Sequence, residues 1–250
     1  MNSPLISVVI PTLASHAGRP TVGQVQQLEL DRARYVGDAI ESVLGQTWLD
    51  RELIVVGNGP TEDTAEVVAG FGDRVRFGRA ERQSVGSARN AGVALATGEF
   101  LSFLDDDDLW VEDKLSLQVK AFEASPELDA VYGHMEQFAS PELDEAEQAR
   151  FRRLDGKVVP ATVAGTMLIR RAAFDRVGPF DESLRIGVEV DWYARLCEAG
   201  LRTAMLDTVV LRRRLHRSNS SVRFPGEQSE RLRVLKQALD RRRAAAARRT

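Results

Sequence analysis

One cysteine, Cys197, stands in 250 residues, so the chain holds no internal disulfide framework and no thiolate-rich zinc centre. Excess positive charge is missing as well. The 34 Lys and Arg against 37 Asp and Glu give a formal net charge of −3, and nothing draws the whole molecule toward nucleic acid or an anionic membrane. The opening "MNSPLISVVIPT" has no basic leader, and its apolar run is too short to span a bilayer. The expectation is a cytoplasmic protein without a transmembrane span; peripheral attachment at the inner membrane face stays open. Two nucleotide signatures are absent, the G-x-G-x-x-G turn and the phosphate-loop G-K-[ST]. What is present is a 43% hydrophobic chain of a length that suits one large α/β domain, alone or with a small appendage.

Strand and helix patterns alternate through the first half. "LISVVI" (5–10) is a continuous β-branched run, as expected of a strand covered on both faces, and Pro11 is read as its end. "ELIVVGNG" (52–59), "RVRFGRA" (74–80) and "EFLSFL" (99–104) read as three further strands. Between them, "YVGDAIESVLGQT", "TEDTAEVVAGFG" and "SVGSARNAGVALATG" carry apolar residues at helical spacing. This order predicts a mostly parallel sheet with right-handed crossovers, whose ligands sit outside the carboxyl ends of the strands. The second half is less regular. A helix is expected over 111–124, a mobile loop or exposed helix over 140–156, and a helix over 187–200 closed by Gly200. The tail from 216 to 250 reads as a basic helical extension through which a homodimer is conceivable.

"FLSFLDDDDLW" (100–110) places four acids at a strand end. Crowded like charges at the edge of a buried strand need a reason. One acid, Asp108, is expected to cap the helix that follows. An EF-hand calcium loop lacks its glycine and its distal ligand spacing. The remaining reading is a divalent cation carrying a phosphorylated ligand, because Mg²⁺ or Mn²⁺ would relieve the repulsion and leave coordination positions for phosphate oxygens. Nearby, "NGPTED" is a glycine turn able to approach a ribose or base, and Arg82 and Arg89 flank "QSVGSARN".

Six stretches carry a resemblance in a fixed order: "SVVIPT", "YVGDAIESVLGQTW", "ELIVVGNGPTEDT", "SVGSARNAGVALATGEFLSFLDDDDLW", "AGTMLIRRAAFDRVGPFDESL" and "VEVDWYARLCEAG". Together they cover most of residues 5–200, and the chain resembles a family 2 glycosyltransferase of the GT-A fold. The resemblance implies a Rossmann-like, mostly parallel central sheet flanked by helices. It implies one domain over 1–215, with a nucleotide-binding half to about 110 and an acceptor half beyond it. It places the D-x-D motif on Asp105, near ribose and metal, and on Asp107, the direct metal ligand; Asp106 is dispensable. Pro11 and Thr12 would border the nucleotide, with Arg89 and Asn90 beside the donor. Asn58 stands where an aspartate commonly reads the base, and an amide can donate where a carboxylate only accepts. The segment 13–30 intervenes where the family proceeds almost directly, in the place of a lid or a disordered insert.

The implied reaction is metal-dependent, inverting transfer from a nucleoside diphosphate sugar to a saccharide, lipid-linked or other hydroxyl-bearing acceptor. Glu189 occupies the place of the family's catalytic aspartate and is assigned as base. Asp191 follows two residues later, as support or as the base itself, and forms a natural i,i+4 pair with Arg195. In "RRRLHRSNS" (212–220), His216 is a candidate third metal ligand or phosphate contact, and Arg213 or Arg217 would neutralise the leaving group. A sugar nucleotidyltransferase and a degenerate, non-catalytic nucleotide-sugar-binding protein are the alternatives. The changes at Asn58 and Glu189 motivate the second of these.

Overall fold

The computed structural model describes residues 3–13, 34–58, 62–217, 219, 234 and 236–241. Most of the 13–30 segment, the turn at Gly59 and Pro60, and most of the basic tail lie outside these residues.

Four strands build the first half of the sheet: β1 (Ile6–Leu13), β2 (Arg51–Asn58), β3 (Arg76–Arg79) and β4 (Phe100–Phe103). They lie in the order β3-β2-β1-β4, every pair parallel. Their connections carry helix α1 (34–44), α2 (Glu62–Ala69) and α3 (Val85–Leu95). The continuous apolar runs follow from burial on both faces. Val8, Ile10 and Val55 pack with Val36, Ile40 and Val43 of α1, while Val9, Ile54 and Val56 pack with Ala88 of α3.

Pro11 does not end β1, as the sequence suggests; it ends one of the strand's two ladders. The β1–β2 register runs on to Leu13↔Asn58, whereas the β1–β4 register stops at Val9↔Phe103. Along β1, Leu5 and Val9 turn their carbonyls to the β4 side, accepting from Phe100 N and Leu104 N. Pro11 is the next residue on that flank and has no N–H to extend the ladder. The chain beyond Phe103 therefore leaves β1 as the acidic turn.

The second half is mixed. It contributes β5 (Leu109–Trp110), α4 (Lys114–Ala124), β6 (Ala130–Ala139), α5 (Glu145–Phe151), β7 (Val158–Ala161), β8 (Leu168–Arg170), α6 (Arg171–Val177), α7 (Val188–Glu198) and β9 (Thr203–Leu215). The sheet continues β4-β8-β6-β9-β5, with β7 on β6, and β8 runs antiparallel to both β4 and β6. Of the two readings of 140–156, the helix holds: Asp144 and Glu147 close a reciprocal capping box on α5. Among the described residues no helix is long and apolar enough to cross a membrane.

Asp108 does not cap the helix after the acids. β5 intervenes and α4 starts only at Lys114, where Asp113 occupies the cap position without a side-chain bond. The short strand is formed because β9 returns to pair with it, at Leu109↔Arg212 and Trp110↔Leu211.

Helix α3 lies close on β1, and a Cβ on Gly92 would sit 2.3 Å and 2.9 Å from the two methyls of Val9. Gly92→Ala is therefore expected to destabilise the fold by about 1–3 kcal/mol in denaturant unfolding. A stabilisation of up to ~1 kcal/mol, the usual gain for alanine in a helix, would show that α3 has room to move.

Candidate active site

The carboxyl ends of β1, β2 and β4 bring Thr12, Asn58 and the acidic turn to one edge of the sheet. The turn is closed by Asp108 N donating to Asp105 O at 3.1 Å. Asp108 is buried, and its carboxylate accepts the backbone N–H of Arg214 at 2.9 Å. Burial, with Asp107 and Asp105 beside it, pushes its pKa well above the usual carboxylate range. Arg214 completes the clamp. Its Nε donates to Asp107 O at 3.0 Å and its Nη2 to Asp38 of α1 at 2.8 Å, with the guanidinium over Tyr35. The sequence reading passed over Arg214 in favour of Arg213 and Arg217. Period-two alternation separates Arg213 from its neighbours, but nothing in "RRRLH" tells which face is buried.

Arg89 joins the two halves. Only 2% exposed, it donates from a single nitrogen, Nη2, to Asp105 Oδ1 at 2.7 Å and to Glu189 Oε1 at 2.9 Å. Its guanidinium lies over Phe180, 5.3 Å from the ring centre. Burial alone would lower its pKa; the charges of Asp105 and Glu189 more than reverse this. Desolvation lifts Asp105, and Glu189 and Asp107 push the same way, against the pull of Arg89. Glu189, in the first turn of α7, accepts a second bond at Oε1 from Ala164 N at 3.1 Å. The adjacent Asn90 also reaches across. Its side chain donates to Phe180 O and accepts from Phe180 N, so both polar residues of "ARN" fasten the first half of the chain to the second.

Asp107 meets His216, with Oδ2 and Nε2 2.9 Å apart. Desolvation opposes the charge of Asp107, but His216 and the nearby Arg213 outweigh it and hold its pKa below the usual range. His216 lies against Tyr35, ring centres 5.1 Å apart. Among the described residues no group of three or more His, Cys, Asp or Glu is arranged to hold a metal unaided. The donor set, two carboxylates on one turn with a histidine adjacent, instead suits a small hard cation that takes its other oxygens from a diphosphate and water.

The remaining sequence candidates divide. Thr12 is buried at the strand end and donates to Val56 O at 3.3 Å. Asn58 donates to Ser84 O at 2.8 Å, and its buried Oδ1 has no partner among the described residues. Asp191 is not brought to Glu189. Two residues apart on a helix are about 200° apart around it, and Asp191 is held by Arg195 at 2.9 Å and Arg241 at 3.1 Å. Beside Glu189 opens a small cleft whose walls include Tyr132, Met167, Phe180, Trp192 and Tyr193.

Residues 30–178 match the family model for glycosyl transferase family 2. The chain is 28% identical over 206 residues to an uncharacterized glycosyltransferase of Rickettsia typhi, covering 76% of this chain and 58% of that protein. It is 27% identical over 229 residues to the hyaluronan synthase of Pasteurella multocida, covering 89% of this chain and 23% of that protein. The chain thus spans little more than half of the first relative and under a quarter of the second. S. aureus TarS 1-349 in complex with UDP-GlcNAc superposes with a TM-score of 0.64 at 18% identity, over 86% of this chain and 60% of that one. Mannosyltransferase PcManGT from Pyrobaculum calidifontis, in complex with GDP-Man and Mn²⁺, does so with 0.59 at 19%, over 87% and 59%. At these identities the likeness is one of fold, and the fold is GT-A.

Arg89→Met leaves two carboxylates facing each other without their shared cation. The expected loss is about 2–4 kcal/mol in urea unfolding, below the full buried-pair cost because both acids retain some water. A loss under ~0.5 kcal/mol would mean that the bridge does not hold the two halves together.

Proposed function

The chain belongs to glycosyl transferase family 2, and on that premise we propose that it transfers a sugar, with inversion, from a nucleoside diphosphate sugar to a hydroxyl-bearing acceptor. One observation carries the reading: Asp105, at the donor edge of the sheet, and Glu189, beside the aromatic cleft, share one nitrogen of Arg89. A donor-side acid and an acceptor-side base thus stand on either side of a single cation.

Single displacement needs a group to take the acceptor's proton as its oxygen attacks the anomeric carbon. Glu189 is that base. Arg89 and Ala164 hold Oε1, and Oε2, which has no hydrogen bond among the described residues, receives the proton. Asp191 does not compete for the role, because Arg195 and Arg241 engage both of its oxygens. The acceptor brings its hydroxyl to Oε2 at the cleft walled by Tyr132, Phe180 and Tyr193, whose space is about that of one water and admits only that group. Pro11, Thr12 and Asn58 border the nucleotide at the ends of β1 and β2. Arg213, whose charge already acts on Asp107, offsets charge on the departing diphosphate. Mg²⁺ or Mn²⁺ would be held by Asp107 with Asp105, with His216 adjacent, and when bound would supply Lewis-acid stabilisation of that diphosphate.

Steady-state transfer and equilibrium donor binding test these roles separately. Glu189→Gln is expected to lower kcat by about a hundredfold or more with donor Kd unchanged, and Asp107→Asn to weaken Mn²⁺-dependent nucleotide binding. A fully active Glu189→Gln enzyme would remove Glu189 from the role of base. In thermal unfolding, Mn²⁺ with a UDP- or GDP-sugar should raise Tm, and chelator should cancel the rise. A rise that survives chelator would contradict the metal reading.

A further inference from the structure

Behind the site lies a lysine in an unusual setting. Lys114, in the first turn of α4, is fully buried, and no carboxylate among the described residues pairs with it. Its Nζ lies 2.9 Å from Ser102 Oγ, 2.8 Å from Gln118 Oε1 and 3.4 Å from Met167 O, and 3.9 Å from the centre of the Trp110 ring. Three acceptors match the three hydrogens of an ammonium, while burial pulls the pKa well below the usual lysine range. A cation without a counter-ion is costly in a core, and an apolar side chain of the same length would serve stability better. The surroundings show what the amine holds.

The short 3₁₀ turn Ala164–Thr166 runs into β8, and its carbonyls are gripped one after another by side chains from the far side. Gly165 O accepts from Trp110 Nε1 at 2.8 Å and Thr166 O from Gln118 Nε2 at 2.8 Å. Met167 O accepts from Ser102 Oγ and from Lys114. Lys114 touches two of these gripping side chains, Ser102 and Gln118, and lies over the third. At the other end of the same turn, Ala164 N donates to Glu189. Ser102 belongs to β4, three residues before Asp105. One amine therefore ties the strand that carries the donor-side acid to the turn that aims an N–H at the base.

We propose that Lys114 is a positioning residue for Glu189, acting through the 164–167 turn and the Ala164 N–H. The proposal rests on the reading of Glu189 as base. Lys114→Met removes the donors and keeps the length. It should lower kcat for transfer by about tenfold, the size of one lost orienting hydrogen bond, with donor Kd within about twofold. Ala164→Pro deletes the one N–H and sets a ring carbon where it pointed, so Glu189 Oε1 must give way; the backbone itself accepts proline because the position opens a turn and follows an extended Val163 (φ −92°, ψ 160°). It should cause at least the same loss, and the double variant should lose no more than Ala164→Pro alone. Losses that multiply in the double variant, or a loss expressed in donor Kd, would overturn the proposal. Amide hydrogen exchange gives a readout that needs no turnover. In Lys114→Met, residues 163–167 should exchange about tenfold faster with α3 unchanged, and equal rates would refute the positioning role. Should Lys114→Met not fold, Ser102→Ala removes one of the two donors to Met167 O together with one acceptor of Lys114, and carries the same expectations. A chain that transfers no sugar even unsubstituted would count against the proposed function, while the exchange result would still decide the role of Lys114.

Discussion

A single guanidinium nitrogen shared by two carboxylates is the contact on which the site depends. Asp105 comes from the end of β4 and Glu189 from the start of α7, 84 positions apart in the chain, and Arg89 of α3 holds both. Without it, two partly exposed acids would face each other with no cation between them. The surroundings place that one side chain: Gly92 lets α3 settle on Val9, Phe180 covers the guanidinium, and Asn90 fixes the Phe180 backbone. The two halves of the chain are thus joined at the point where the proposed donor-side acid and base meet.

The acidic turn follows the same logic, with its crowded charge parcelled out to different partners. Asp105 goes to Arg89, Asp107 to His216, and Asp108 to the backbone of Arg214. Pro11 contributes from outside by ending the β1–β4 ladder and freeing the chain to turn. The result is a loop held by cations and N–H groups from α3 and from the end of β9, with Asp105 and Asp107 still open enough to meet a ligand.

Much of this was legible beforehand. The β-branched runs, the glycine and serine punctuation of α3 and the order of elements are local signals, and they predicted the parallel half of the sheet with the acidic turn at its carboxyl edge. The Asp191–Arg195 pair followed from helical spacing alone. The failures are all non-local. Asp108 looked like a cap because the strand that interposes β5 arrives about a hundred residues later. Arg214 and Lys114 were invisible for the same reason, since a basic residue in a polar run reads as surface until a returning strand or a facing turn buries it. Asp191 shows the reverse case, a motif position whose partners, Arg195 and Arg241, turn it away from the cleft.

The central claim is that Asp105 and Glu189 are coupled through Arg89. A double-mutant cycle of Asp105→Asn and Glu189→Gln, read by denaturant unfolding in the wild-type chain and again in Arg89→Met, tests it most directly. The account predicts a coupling of at least ~0.5 kcal/mol between the two substitutions when Arg89 is present, and a different coupling once it is gone. Additive effects in both backgrounds would show that the shared nitrogen does not connect them.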